Sequence, residues 1–249
     1  MTRYKNLLVG GCSFSQDGIG GSPPTETQPG GCSFIEDIEY EVASPNSWAG
    51  FLAQKLGVTS LVNTAASSHG NILTANSILE CINKFQYNCS DTLVVVNITE
   101  PTRLDIPCYY DHPDADNEFI PWSQTLIPYS FFKRNSNTIV ALEKNMGFDQ
   151  IEYFTSNAVD LLLNFLENKG FDFYFLTMAD FSNSCLQTVL NKFQDRHIKL
   201  NPGLNMIDYC KITNNQKSKK DEHPSLVGHK QIADQIYSVI ENDLYLPVL

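Results

Sequence analysis

Apolar residues in this chain fall into short unbroken runs, separated by longer stretches in which they recur every three to four positions. The first kind predicts strands buried on both faces, and the second predicts helices with one face on a core. Leu7-Leu8-Val9, stopped by Gly10-Gly11, reads as the first strand and Ser60-Leu61-Val62 as the second. Thr92 to Ile98, rich in β-branched residues, is the strongest. Phe171 to Thr177 makes a fourth, and a short run near Asn205 to Asp208 a fifth. Between them, Trp48, Phe51, Leu52 and Leu56 share a helical face, with Ser44-Pro45-Asn46-Ser47 before them and Gly57 as the stop. Ile72, Ile78, Leu79, Ile82 and Phe85 predict a second helix, with further helices at about 149–169 and 183–195 and a last one from Ser225.

Strands alternating with helices of this length predict a three-layer α/β/α sandwich around a mainly parallel, flavodoxin-like sheet of about five strands. Nothing along the chain resembles a linker, so residues 1–249 read as one domain. Two insertions interrupt the pattern. Residues 15–45 are rich in Gly, Pro, Ser and acidic side chains without periodicity, and long loops of this sort are often functional. Residues 100–147 are rich in Pro and aromatics, among them Tyr109, Tyr110, Phe119 and Trp122, with a helical portion near 130–146. These aromatics either cover a core edge or cap a site.

Composition narrows the function. Hydrophobic residues make up 42% of the chain and charged ones 18%, which suits a packed globular protein. A net charge of -11 disfavours a polyanionic partner such as nucleic acid, because that binding depends on Lys and Arg neutralising phosphates, so no nucleic-acid partner is expected; a neutral or cationic substrate fits better. Lys217, Lys219 and Lys220 stand in a polar stretch that reads as a solvated loop. The 7 cysteines have no zinc-type spacing, so reduced thiols, no metal and no cofactor are expected. No stretch is long and apolar enough to span a membrane, and the amino end lacks the pattern of a signal peptide, so a cytoplasmic location is expected.

In a parallel sheet, ligands bind beyond the carboxyl ends of the strands. Ser13, the loop after Val62, the loop after Ile98 and the segment Asp221 to His223 all follow predicted strands and are gathered there. A hydroxyl nucleophile needs an imidazole to take its proton and a carboxylate to orient the imidazole, and Ser13, His223 and Asp221 supply those groups. Pro224 favours an extended backbone at His223. The pentapeptide Gly-Gly-Cys-Ser-Phe occurs at 10–14 and again at 30–34. Only the first copy follows a strand, which favours Ser13 over Ser33 as a rigidly held group. Cys12 is the stronger nucleophile in principle, but neighbours at a strand end point in opposite directions, so it is expected to pack inward. His229, within the last helix, is expected to pack or cap. His69 can line the crevice.

At these residues the sequence resembles the SGNH, or GDSL-type, hydrolases. Gly11-Cys12-Ser13-Phe14 is similar to the family's first block, with Cys12 where an Asp is common. Ser47-Trp48-Ala49, Val62-Asn63-Thr64-Ala65, Asp221, His223-Pro224 and Gly228-His229 continue the resemblance in order along the chain. It implies a serine esterase acting through Ser13, His223 and Asp221 on an O-acyl ester, such as an O-acetyl carbohydrate. It also implies an oxyanion hole drawn from Ser13, Ser68 or Gly70, and Asn97 or Thr99, with His69, Asn71 and Arg103 toward the substrate. The third block departs from the family: Thr99 occupies the position of its usual Asn, which leaves open a catalytically weak or silent binding protein on the same fold.

Overall fold

A computed structural model of the chain describes residues 3–15, 46–65, 69–106, 124–126 and 147–245. In chain order its elements are β1 (Asn6–Gly10), α1 (Trp48–Leu56), β2 (Ser60–Asn63), α2 (Asn71–Phe85), β3 (Thr92–Ile98), β4 (Leu104–Ile106) and β5 (Gln124–Leu126). They continue with α3 (Phe148–Lys169), β6 (Asp172–Thr177), α4 (Cys185–Lys192), α5 (Met206–Ile212), β7 (Gln216–Ser218), β8 (Asp221–Pro224) and α6 (Leu226–Tyr245). Ser33, Ser68, the helix expected near 130–146 and most of the aromatic insertion lie outside the described residues.

The four longest apolar runs pair into one parallel sheet of order β2-β1-β3-β6. Leu8 stands level with Val62 on one side and Val94 on the other, and Val94 with Phe173. Successive strand residues face opposite ways, so the sheet feeds two cores. Leu7, Val9, Val95 and Tyr174 meet Trp48 and Leu52 of α1 and Ile232, Ile236 and Ile240 of α6. Leu8, Val94, Val96, Phe173 and Phe175 meet Ile78 and Ile82 of α2, Leu162 and Leu166 of α3, and Leu186 and Leu190 of α4. This is the three-layer α/β/α sandwich. Every residue of β3 is buried, as a strand with helices on both faces requires. Burying one such aliphatic side chain contributes about 1.5–3 kcal/mol, so the sheet is a stiff platform for whatever its carboxyl ends carry.

The expected helix starts are visible in the bonds that close them. Ser47 Oγ accepts from the Gly50 N–H at 3.1 Å, and the Trp48 N–H donates to Nδ1 of His229 at 3.1 Å, which ties α1 to α6. Ser225 precedes α6, and its Oγ accepts from the Gly228 N–H at 3.2 Å.

The run near Asn205 to Asp208 is a correction. It begins a helix: the Asn205 side-chain oxygen accepts from the Asp208 N–H at 2.9 Å, and Met206, Tyr209 and Cys210 turn one face inward. The place of a fifth strand is taken by a single parallel bridge between Phe175 and His197, where the Ile198 N–H donates to the Phe175 carbonyl at 2.8 Å. The sheet therefore has four strands among the described residues. Nor do Asp221 to His223 follow a strand of that sheet. They lie in a separate antiparallel hairpin, β7–β8, between α5 and α6.

Candidate active site

Beyond Gly10 the backbone turns sharply, and Gly11 takes φ of +151°, a region that side chains rarely adopt. A Cβ there would stand 2.9 Å from Asn97 Cβ and 2.9 Å from Ser15 Oγ, so glycine lets the turn pass close over the end of β3. The Ser15 N–H closes the turn onto the Cys12 carbonyl at 2.9 Å, and Asn63 Nδ2 holds the Ser15 carbonyl at 2.9 Å. Cys12 is fully buried, as its packing reading required, while Ser13 is only half-buried.

Ser13 Oγ lies 2.7 Å from His223 Nε2, and His223 Nδ1 lies 2.6 Å from Asp221 Oδ1. The same Asp221 oxygen accepts from the His223 main-chain N–H at 3.1 Å. An ionised carboxylate can only accept, so Nδ1 carries the ring proton and Nε2 presents its lone pair to the Ser13 hydroxyl. Burial pushes the Asp221 carboxyl up, but hydrogen bonds from the His223 ring and backbone outweigh it and bring the group below its ordinary value. His223 has an extended backbone within β8. Its ring stacks on Phe14, with centroids 4.5 Å apart and planes inclined by 25°.

The other residues singled out from sequence are placed differently. The Gly70 N–H donates to Asp105 Oδ1 at 2.9 Å. The Thr99 N–H and hydroxyl both donate to Asn71 Oδ1, at 2.9 and 3.3 Å, and Asn71 Nδ2 returns a bond to the Thr99 carbonyl at 3.1 Å. Gly70 and Thr99 are thus already committed to protein acceptors, and Asn71 clamps α2 to the end of β3 instead of facing a ligand. Asn97 is fully buried, with Nδ2 at 4.0 Å from Cys12 Sγ. His69 is 8% exposed, and burial holds its imidazole down at about 4. Arg103 Nη2 reaches Met178 Sδ at 3.9 Å at the end of β6.

Sequence reasoning missed Asp105. Its carboxylate accepts from the Gly70 and Leu73 N–H groups, at 2.9 and 2.8 Å, closing the amino end of α2, which has no side-chain cap of its own. A Cβ on Gly70 would stand 2.7 Å from one Asp105 oxygen, so the glycine is needed for this approach. No local signal points to a cap supplied from 32 residues away. Phe14 was visible as a neighbour of Ser13, but its contact with His223 depends on the fold. Among the described residues no group of three or more His, Cys, Asp or Glu could hold a metal ion, and no helix is long and apolar enough to cross a membrane.

The chain is similar in structure to the psychrotrophic esterase EstA from Pseudoalteromonas sp., a structure inhibited by monoethylphosphonate. The match covers 97% of this chain and 100% of that one at 10% identity, with a TM-score of 0.50. TesA matches at 10% identity over 95% of this chain and 98% of that one, with a TM-score of 0.51. No protein-family model and no curated protein sequence matches. At this identity the likeness is one of fold, a mainly parallel sheet between two layers of helices.

Proposed function

We propose that this protein is a serine ester hydrolase of the SGNH type. Ser13 Oγ attacks the carbonyl carbon of an O-acyl ester while its proton passes to His223 Nε2, and Asp221 holds the imidazole in the tautomer that can receive it. The tetrahedral adduct collapses as Nε2 returns the proton to the leaving alcohol. Water then attacks the acyl-serine by the same route, releasing the acid and restoring the hydroxyl. The Ser13 N–H and a donor from the segment containing Ser68 are the proposed oxyanion partners. Small O-acyl groups on a carbohydrate are the proposed substrates, by the family resemblance; the esterase EstA is consistent with an ester as the substrate class.

The observation that carries this reading is the chain of 2.7 and 2.6 Å contacts from Ser13 through His223 to Asp221. The competing reading, a silent binding protein, is favoured by the commitment of the Gly70 and Thr99 donors elsewhere. Hydrolysis of 4-nitrophenyl acetate separates the two. Turnover and fluorophosphonate labelling of wild type, both lost in Ser13→Ala, are expected. Equal turnover by both proteins removes Ser13 as the nucleophile.

A further inference from the structure

Among the described residues Arg103 is a cation with one carboxylate neighbour and no oxygen acceptor within hydrogen-bond distance of its side chain. Its side chain is 12% exposed, Nε makes no hydrogen bond among the described residues, and the Glu100 carboxylate stands off at 3.6 Å. Around the guanidinium lie sulfur atoms: Met178 Sδ at 3.9 Å from Nη2 and, beside it, the thiol of Cys12, whose own sulfur is 3.7 Å from Met178 Sδ. Thioether and thiol are weak acceptors. A guanidinium withdrawn from water normally gains oxygen acceptors in return, and a buried polar group left short of them calls for an explanation.

Position supplies one. Cys12 directly precedes Ser13 in the chain, and Met178 follows the end of β6, so the guanidinium packs at the carboxyl rim of the sheet against the thiol of the residue before the hydroxyl. The planar fork of donors matches a carboxylate in bidentate fashion. Resting on the hydrolase reading, we propose that Arg103 is a specificity residue that binds a carboxylate carried by the ester substrate. The net charge of -11 disfavours long polyanions, which respond to the field of the whole surface. One carboxylate delivered to one buried guanidinium is decided locally.

Two matched ester pairs test this: mono-4-nitrophenyl succinate against 4-nitrophenyl butyrate, and 4-acetoxybenzoate against its methyl ester. They place the carboxylate on the acyl and on the alcohol side respectively. In at least one pair wild type should favour the acid by about tenfold or more in kcat/KM. Arg103→Met should abolish that preference, a loss of about tenfold or more for the acid that falls mainly on KM, and Arg103→Lys should retain part of it. No preference in either pair, or an equal loss on both members of each pair in Arg103→Met, overturns the proposal; the latter would make the arginine structural or a donor to the reacting oxyanion. Calorimetry of succinate and 4-hydroxybenzoate on Ser13→Ala reads the same arginine without turnover. Binding that disappears in Ser13→Ala/Arg103→Met supports the proposal, and no binding to Ser13→Ala overturns it. A wild type that hydrolyses none of the esters yet binds these acids through Arg103 would sink the hydrolase reading alone.

Discussion

Phe14 and His223 lie face to face, 4.5 Å between ring centroids, so the residue after the serine hydroxyl forms one wall of the imidazole that the hydroxyl contacts. One turn of chain therefore sets both partners of the proton transfer. Stacking of this kind is worth about 1 kcal/mol beyond area burial. Phe14→Leu keeps an apolar side chain there but loses the ring face, and kcat for 4-nitrophenyl acetate should fall about fivefold with the protein still folded by circular dichroism. An unchanged kcat would show that Asp221 alone orients the ring.

Asp221→Asn keeps the shape of the side chain but removes the pure acceptor that fixes the proton on Nδ1. The expected loss in kcat is about a hundredfold or more. The pair also couples stability to pH. Because the folded carboxyl lies below its ordinary value of 3.8, its contribution is complete above that value and is lost as pH falls through the lower folded one. The difference in melting temperature between wild type and Asp221→Asn should accordingly close on the acid side of pH 3.8.

His69 shows linkage of the same sign from a different cause, burial of the imidazole instead of hydrogen bonds to a carboxylate. Burial lowers its imidazole from 6.5 to about 4, so between those values the unfolded chain binds a proton that the folded one refuses. Stability should therefore decline as pH drops from 6.5 toward 4, by up to about 3 kcal/mol from this residue. Urea denaturation at stepped pH should show a shallower decline in His69→Asn than in wild type.

The cap that Asp105 places on α2 predicts a cost without any contact to the proposed nucleophile. Asp105→Ala leaves the Gly70 and Leu73 N–H groups buried without this acceptor and should destabilise by about 2 kcal/mol. Gly70→Ala should cost about 1–3 kcal/mol, because its methyl group would press on the same carboxylate. Chemical denaturation midpoints measure both.

Long, strongly patterned segments were legible in the sequence because one physical rule governed each. Thr92 to Ile98 is apolar enough to admit no reading except a strand covered on both sides, and Ser13, His223 and Asp221 stood out because their chemistry is complementary. Near Asn205 the window was too short. Four residues cannot separate a strand from a first helical turn, and only Tyr209 and Cys210, with the cap at Asn205, reveal the helical period. The fates of Gly70, Asn71 and Thr99 were hidden for another reason. Each is decided by a partner distant in sequence, Asp105 for the first and the mutual clamp of the other two across 28 residues. The crowding of sulfur around Arg103 likewise exists only where three strand ends converge.

The hairpin β7–β8 is not part of the main sheet, and it is moored to its surroundings by main-chain bonds from Asn215 to Cys210 at 2.9 Å and from Ser225 to Asn215 at 2.6 Å. Base and hydroxyl are thus mounted on separate supports, one a short ribbon and the other the central platform. Altering the length or sequence of that ribbon can adjust the reach of the imidazole while the floor beneath the serine stays as it is.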